Sequence, residues 1–128
     1  MLDVTSQITF MYFDDYVNSK NFFENILELE KVYDPEWACV YRVAKDAYVG
    51  AVDATKGSVK YSCKGGMLIS ITVTNIEEVH SMFSKRLSEV TAIKEISSIG
   101  LKSFFFKGPE GYDFEIQQFI LDDLKELF

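Results

Sequence analysis

The sequence has few of the residues that build disulfide scaffolds, metal knuckles and membrane spans. Its two cysteines, Cys39 and Cys63, stand 24 residues apart with no CxxC motif and no neighbouring histidine, so neither a zinc knuckle nor a disulfide framework is indicated. No apolar run approaches the roughly 18–20 residues of a membrane span, and residues 1–10 lack the basic and apolar regions of a signal peptide. We therefore expect a soluble, unprocessed cytoplasmic protein with reduced thiols.

Basic residues are also scarce relative to acidic ones. Thirteen Lys and Arg residues against 20 Asp and Glu residues give a formal net charge of -7. Such a charge repels nucleic acid and anionic lipid and mildly attracts cationic ligands. We therefore expect no nucleic-acid partner and no membrane partner.

The chain does contain enough apolar material for a core and a pocket. Of its 128 residues, 48% are hydrophobic and 15% are aromatic. A chain of this length favours one domain, and folding removes roughly two thirds of its unfolded surface from water. Residues 1–128 are therefore predicted to form a single domain.

An internal repeat is the most informative feature of the sequence. Seven positions keep their chemical type at an offset of 60 residues: Ile8 and Leu68, Met11 and Ile71, Phe13 and Val73, Asp15 and Asn75, Phe22 and Met82, Phe23 and Phe83, and Leu27 and Leu87. Each copy begins with an alternating apolar stretch typical of a strand and continues with an apolar stripe at helical spacing. Three further strand candidates follow in each copy, so the repeat predicts two βαβββ modules.

The first module is predicted to span residues 7–52 and the second residues 67–119. Their strands are expected at 8–13, 29–33, 37–43 and 47–52, and at 68–73, 92–96, 101–107 and 112–118. Lys45 and Asp46 suit a tight hairpin, and residues 53–66 suit a linker.

Three smaller features complete the second module. Asn75 and Glu78 are spaced like a capping box at the start of its helix. Residues 108–111 have Pro second and Gly fourth, the arrangement that a type I turn prefers. Residues 120–128 are predicted to form a C-terminal helix.

The predicted fold class is α+β, with the two modules forming a curved mixed sheet and a cleft. Strand residues two apart share a face, so Phe114 and Ile116 are expected to face the helix and Glu115 the cleft. The same parity directs Ile8 and Leu68 into the cleft. Trp37, Cys39 and Tyr41 are also assigned to it, although both faces of their strand carry apolar residues. The candidate ligand-binding residues are Phe10, Tyr12, Trp37, Tyr41, Phe105, Asp113, Glu115 and Gln117.

Two sequence patterns carry a family resemblance. The repeat includes the pattern Asp-x6-Phe-Phe-x3-Leu at residues 15–27, and residues 108–115 read Gly-Pro-Glu-Gly-Tyr-Asp-Phe-Glu. Together they resemble the vicinal oxygen chelate superfamily, which includes glyoxalase I, extradiol dioxygenases and bleomycin-resistance proteins. The second pattern matches that family's Asp-Pro-x-Gly-x-x-x-Glu, with Gly in place of the first Asp. The resemblance covers residues 7–119.

The resemblance also implies where a metal ion would be held. In metal-dependent members the ligands come from the start of the opening strand and from the last strand of each module. Ile8 and Leu68 stand at the first of these positions and have no lone pair to donate, so Glu115 alone remains. His80 lies in the second helix, and we expect it to be an ordinary surface residue outside the cleft. We therefore predict no metal ion and no other cofactor.

Three functions stay open on this basis. The first is a metal-free, dimeric binding protein of the bleomycin-resistance type for a small aromatic or cationic molecule, although Ile99 and Thr9 depart from those proteins where they have a tryptophan and a proline. The second is a metal-dependent glyoxalase or dioxygenase, a lyase or oxidoreductase, with a divergent site around Glu115. The third is a protein-interaction module whose cleft is filled by its own side chains.

Overall fold

The computed structural model describes residues 1–61, 63 and 65–128 of the chain. It contains two compact units, Met1–Cys63 and Lys64–Phe128. Each unit holds one four-stranded mixed sheet and one covering helix, so the predicted pair of βαβββ modules is confirmed. None of the described helices is long and apolar enough to cross a bilayer.

The strands of the first module follow the predicted positions closely. They are β1 Gln7–Phe13, β2 Glu30–Tyr33, β3 Ala38–Ala44 and β4 Ala47–Asp53. The sheet order is β1-β4-β3-β2, with β1 parallel to β4 and the other pairs antiparallel. Lys45 and Asp46 form the predicted tight turn between β3 and β4.

The helix α1, Tyr16–Asn21, begins at a side-chain cap and ends in a wider turn. The carboxylate of Asp15 accepts a hydrogen bond from the backbone N–H of Asn18 at 3.0 Å, which satisfies one of the unpaired amides of the first turn. Residues Phe22–Ile26 continue as one π-helical turn. This turn places the Phe23 ring against the sheet, stacked on Tyr41 at 5.2 Å and edge-on to Phe13 at 6.0 Å.

The second module repeats this plan with a longer helix. Its elements are β5 Leu68–Thr72, α2 Ile76–Arg86, β6 Lys94–Ile96, β7 Leu101–Lys107 and β8 Asp113–Phe119. The sheet order is β5-β8-β7-β6, again with one parallel pair, β5 and β8. A third helix, α3, covers Asp122–Leu127.

Stacked phenyl rings form the core under α2. Phe83 of α2 lies edge-on to Phe104 at 6.2 Å and to Phe106 at 5.2 Å, and Phe106 stacks on Phe114 at 5.4 Å. Phe114 and Ile116 are almost fully buried on this side. The face predicted for them is therefore confirmed, and the alternate residues of β7 and β8 lie on the other side of the sheet, here called the open face.

The start of α2 differs from the predicted capping box. The Asn75 side chain donates its Nδ2 to Glu78 Oε2 at 3.0 Å and caps no backbone amide. The backbone N–H of Ile76 instead donates to Oε1 of Gln118 at 3.0 Å. The cap thus comes from β8, which the sequence spacing does not indicate.

Two further local predictions need correction. Glu110 has φ +60°, whereas a type I turn has a φ of about -90° at that position, so residues 108–111 do not form the predicted type I turn. His80 is only partly exposed and not an ordinary surface residue. Its ring lies edge-on to Phe104 at 4.8 Å, and Nε2 is 2.8 Å from the carbonyl oxygen of Thr91.

The predicted linker, residues 53–66, begins with a segment attached to β1. The Tyr12 ring lies where a side chain on Gly57 would be, 2.4 Å from the ideal Cβ position. The backbone N–H of Val59 donates to the Tyr12 hydroxyl at 3.1 Å, and the Tyr61 hydroxyl donates to Asp14 at 2.5 Å. Residues 62 and 64 of the predicted linker lie outside the described residues.

Candidate functional site

The open face of the second sheet carries a nearly buried carboxylate. Glu115 is 9% exposed, and its Oε1 accepts a hydrogen bond from the Ser70 hydroxyl of the neighbouring strand at 2.7 Å. Phe105 lies beside Glu115 in the antiparallel register of β7 and β8 and is 42% exposed. Because both carboxylate oxygens can accept further bonds, Glu115 can bind a donor or a cation next to an apolar ring.

The polar residues on either side of Glu115 already have partners. Asp113 forms an ion pair with Lys107 across the strands, and Gln117 Nε2 donates to the Thr72 hydroxyl at 3.0 Å. The charge of Lys107 offsets that of Asp113, so Asp113 contributes less negative potential to a bound cation than a lone carboxylate would.

An aromatic pair lies on the open face of the first sheet. Phe10 and Trp37 have ring centroids 5.7 Å apart and are 39% and 36% exposed. The Phe10 ring passes over Gly50, whose ideal Cβ would lie only 2.5 Å from Phe10 Cδ1. A glycine at this position therefore lets the ring lie against the β4 backbone, with Trp37 beside it.

Tyr12 lies on the same face but is already engaged by the segment that follows β4. Its ring packs against Gly57 and its hydroxyl binds Val59, as described above. Of the three candidates on this face, Phe10 and Trp37 thus present the more accessible surface.

The assignment of Tyr41 and Cys39 to the open face is wrong. Tyr41 is fully buried under the helix, stacked on Phe23, and its hydroxyl donates to Glu24 at 2.8 Å. Burial first, and then this hydrogen bond, raises the pKa of Tyr41 above its ordinary value. Cys39 is also buried on that side, where its Sγ accepts from the Tyr16 hydroxyl at 3.3 Å. Neither side chain can touch a ligand on the open face.

The family resemblance implies two metal-ligand positions in each module, and the strand register shows which residues stand at them. Ile8 and Leu68 lie on the open faces, 40% and 48% exposed. Phe10 and Ser70, two residues after Ile8 and Leu68, are equivalent in the repeat. Phe10 pairs with Gly50 in the first sheet, and Ser70 pairs with Glu115 in the second. Gly50 is therefore the counterpart of Glu115, and Glu115 is the only donor among the four.

This donor set does not fit a divalent metal ion. A protein site for such an ion uses three or more nitrogen, oxygen or sulfur ligands. Among residues 1–61, 63 and 65–128, no group of three His, Cys, Asp and Glu side chains is placed to hold one. The single carboxylate of Glu115 would compete with water for the ion, and no chemistry through a metal follows from these residues.

Two open pockets lie next to these residues, one in each module. The pocket beside Phe105 has a volume of about 310 Å³ and includes Thr91 and the Lys107–Asp113 pair. The pocket beside Ile8 has a volume of about 270 Å³ and includes Arg42 and Tyr48.

Sequence reasoning passed over Arg42 and Tyr48 as site residues. Arg42 Nη1 donates to the Tyr48 hydroxyl at 2.8 Å, and Arg42 Nε donates to Glu30 at 3.2 Å. The hydrogen bond to Glu30 raises the pKa of Arg42 above its ordinary value. Arg42 could have been found by assigning the faces of β3 the other way round. Ala38, Val40 and Arg42 then share the open face, and Cys39 and Tyr41 face the helix.

No family model and no curated protein matches the sequence. Solved structures do match its fold, among them the following three, each with a TM-score of 0.73. A lactoylglutathione lyase from Agrobacterium tumefaciens is 15% identical, over 92% of this chain and 95% of that one. TioX from Micromonospora sp. ML1 is 11% identical, over 91% and 99%. A glyoxalase/bleomycin resistance protein/dioxygenase from Nocardioides is 10% identical, over 95% and 87%.

At these identities the likeness concerns the fold alone. The chain has the glyoxalase/bleomycin-resistance fold that the resemblance of its sequence implies. Because structures with this fold include a lyase and a bleomycin-resistance protein, the fold by itself does not choose an activity.

Proposed function

We propose that this chain is a small-molecule-binding protein of the bleomycin-resistance type, which holds a flat aromatic, preferably cationic, ligand without a metal ion. The observation that carries the proposal is the half-exposed pair of Phe10 and Trp37 over Gly50. Aromatic rings stack on flat ligands at little entropic cost, because each has only two side-chain torsions to fix. We also expect a cytoplasmic homodimer, as the resemblance implies.

The ring faces and the net charge of the chain favour a cationic ligand over an anionic one. The faces of Phe and Trp rings carry negative potential, which attracts cations within about 6 Å. The net charge of -7 acts in the same direction.

The donor set supports binding over metal catalysis. Phe10 lies over Gly50, the counterpart of Glu115, so an aromatic ring lies where the first module would need a carboxylate. Ile8 and Leu68 offer hydrocarbon at the other two positions. In the first module, the positions that leave a metal ion without ligands thus provide apolar surface for a ring.

Fluorescence of the only tryptophan tests this proposal. We expect a planar aromatic cation such as proflavine to change Trp37 emission saturably, and an anionic aromatic such as naphthalene sulfonate to bind at least about tenfold more weakly. The variant Phe10→Ala should weaken proflavine binding about two- to tenfold, since one stacked ring contributes about 0.5–1.5 kcal/mol. Ile99→Ala, which removes a 52% exposed apolar side chain from the other module, is the matched control.

Two outcomes would overturn the proposal. One is proflavine binding that is absent or equal in Phe10→Ala and the native protein. The other is a stoichiometric divalent metal ion after purification from metal-rich medium that is lost in Glu115→Ala, which would favour the enzyme.

A further inference from the structure

A second pocket in the second module lies away from Glu115 and Phe105. It has a volume of about 280 Å³ and lies where the ends of β5 and β8 meet the C-terminal helix. Its lining consists of Thr72, Val73, Thr74, Gln118, Phe119, Lys125 and Phe128. Ordinary ligand pockets have volumes of about 300–1,000 Å³, so this one suits a single ring or a short chain.

One wall of the pocket is aromatic. Phe119 of β8 lies on the open face, and the Phe128 ring stacks on it at 5.0 Å with an angle of 18° between the planes. Phe128 is 70% exposed, so its outer face is available to a ligand. The apolar part of a small molecule can therefore pack against this stacked pair.

The other side of the pocket offers donors and one cation. The Thr72 hydroxyl accepts from Gln117, which leaves its own O–H to donate. Lys125 has the one charged side chain among the described residues of the lining, and its carboxylate partner Asp122 is 4.0 Å away in an exposed pair. Exposed pairs at this distance are weak, so the ammonium group can turn toward a ligand.

From this combination we propose that the pocket is a binding site for a small aromatic or short-chain carboxylate. The carboxylate accepts bonds from Lys125 and Thr72, and the apolar body lies along Phe119 and Phe128. The site takes a ligand opposite in charge to that of Phe10 and Trp37, and it lies wholly within the second module. It is therefore independent of the function proposed above.

An NMR titration of the full chain with benzoate tests the site. We expect saturable shifts at Thr72, Thr74 and Lys125 with a dissociation constant of about 1 mM, a usual affinity for so small a ligand. Benzamide and benzylamine have the same ring without the negative charge, and we expect each to bind at least about fivefold more weakly.

Two matched variants test whether the charge of Lys125 itself, and not the loss of any one positive charge from the surface, affects benzoate binding. Lys125→Gln should weaken benzoate binding about fivefold, and Lys94→Gln, on the exposed strand β6, should leave it unchanged. Phe10→Ala should also leave benzoate binding unchanged, because Phe10 lies in the other module. The benzoate proposal and the aromatic-cation proposal can therefore fail separately. Absence of saturable shifts at Thr72 and Thr74, or equal binding of benzoate and benzamide, would overturn the proposal.

Discussion

Replacement of Gly50 by alanine is predicted to push the Phe10 ring away from the first sheet. A Cβ at Gly50 would lie 2.5 Å from Phe10 Cδ1 and 2.7 Å from Cε1. Carbon atoms in normal contact are about 3.5–4.0 Å apart, so the ring has to move by about 1 Å. Because Phe10 is 39% exposed, the ring can move toward solvent, and we expect the variant to fold.

The free energy of unfolding should fall moderately. Crowding of a packed position costs about 1–3 kcal/mol. Gly50 is not among the residues in the left-handed region, so alanine suits its backbone and reduces unfolded-state entropy, a gain of about 0.4–1 kcal/mol. The expected net loss for Gly50→Ala is therefore about 0.5–2 kcal/mol.

A double-mutant cycle isolates the contact between the two residues. The three atoms nearest to the added Cβ all belong to Phe10, so in a Phe10→Ala background Gly50→Ala should be neutral or slightly stabilising. The coupling energy from urea unfolding of the four proteins should be about 1–2 kcal/mol. Proflavine binding should fall in Gly50→Ala about as much as in Phe10→Ala.

The control for this cycle is Gly65→Ala, because no atom lies within 4 Å of a Cβ added there. It should change neither stability nor binding appreciably in either background. Additivity of Gly50→Ala and Phe10→Ala within about 0.3 kcal/mol would refute the reasoning, since residues in contact should couple.

Two further predictions concern local backbone and charge. Glu36 has φ +63°, in the left-handed region that disfavours side chains by about 1–2 kcal/mol, so Glu36→Gly should raise the free energy of unfolding by about 0.5–1 kcal/mol. Glu95→Gly, in the extended strand β6, should lower it instead, and a loss of stability in Glu36→Gly would contradict the argument. The side chain and the backbone N–H of Thr55 both donate to Asp53 and hold the pKa of that carboxyl below its ordinary value. Because the pKa is lower in the folded state, this stabilisation is present above the ordinary carboxyl pKa and is lost as the pH falls through the folded-state pKa. In an NMR pH titration, Thr55→Val should raise the pKa of Asp53 and Ser58→Ala should not, and an unmoved pKa in Thr55→Val would count against the hydrogen bond.

Periodicity predicted the elements well where one face of a strand is buried and the other is not. In β8 the apolar residues Phe114 and Ile116 alternate with polar ones, so the helix-facing side could be assigned from sequence. In β3 the neighbours Cys39, Val40 and Tyr41 are all buried, although they point to opposite faces. Alternation then carries no information about direction, and this is why Tyr41 was misassigned.

Trp37 shows a second limit of counting by parity. It precedes the first residue of β3, and Glu36 before it has a left-handed backbone. The strand alternation therefore does not extend to Trp37, whose ring reaches Phe10 although Cys39 and Tyr41 face the helix.

The counterpart of Glu115 was hidden by a change in the repeat offset. The opening strands are related by 60 residues, as in Ile8 and Leu68, but the last strands are related by 65, as in Gly50 and Glu115. Only the strand register reveals that difference, because it pairs each last strand with its opening strand. The capping of α2 by Gln118 was likewise hidden in the sequence. Its side chain accepts a hydrogen bond from the backbone N–H of Ile76, which lies 42 residues away in the chain.

The attachment of residues 57–61 to β1 determines where a fragment containing the first module should end. A fragment that stopped at the end of β4 would lose the partners of Tyr12 and Asp14 and leave a phenol ring facing water. A fragment that ended after Tyr61 would keep the contacts of Gly57 and Val59 with the Tyr12 side chain and the hydrogen bond from Tyr61 to Asp14. The natural place to separate the two halves for expression, or to open the chain for a circular permutation, is therefore beyond Tyr61.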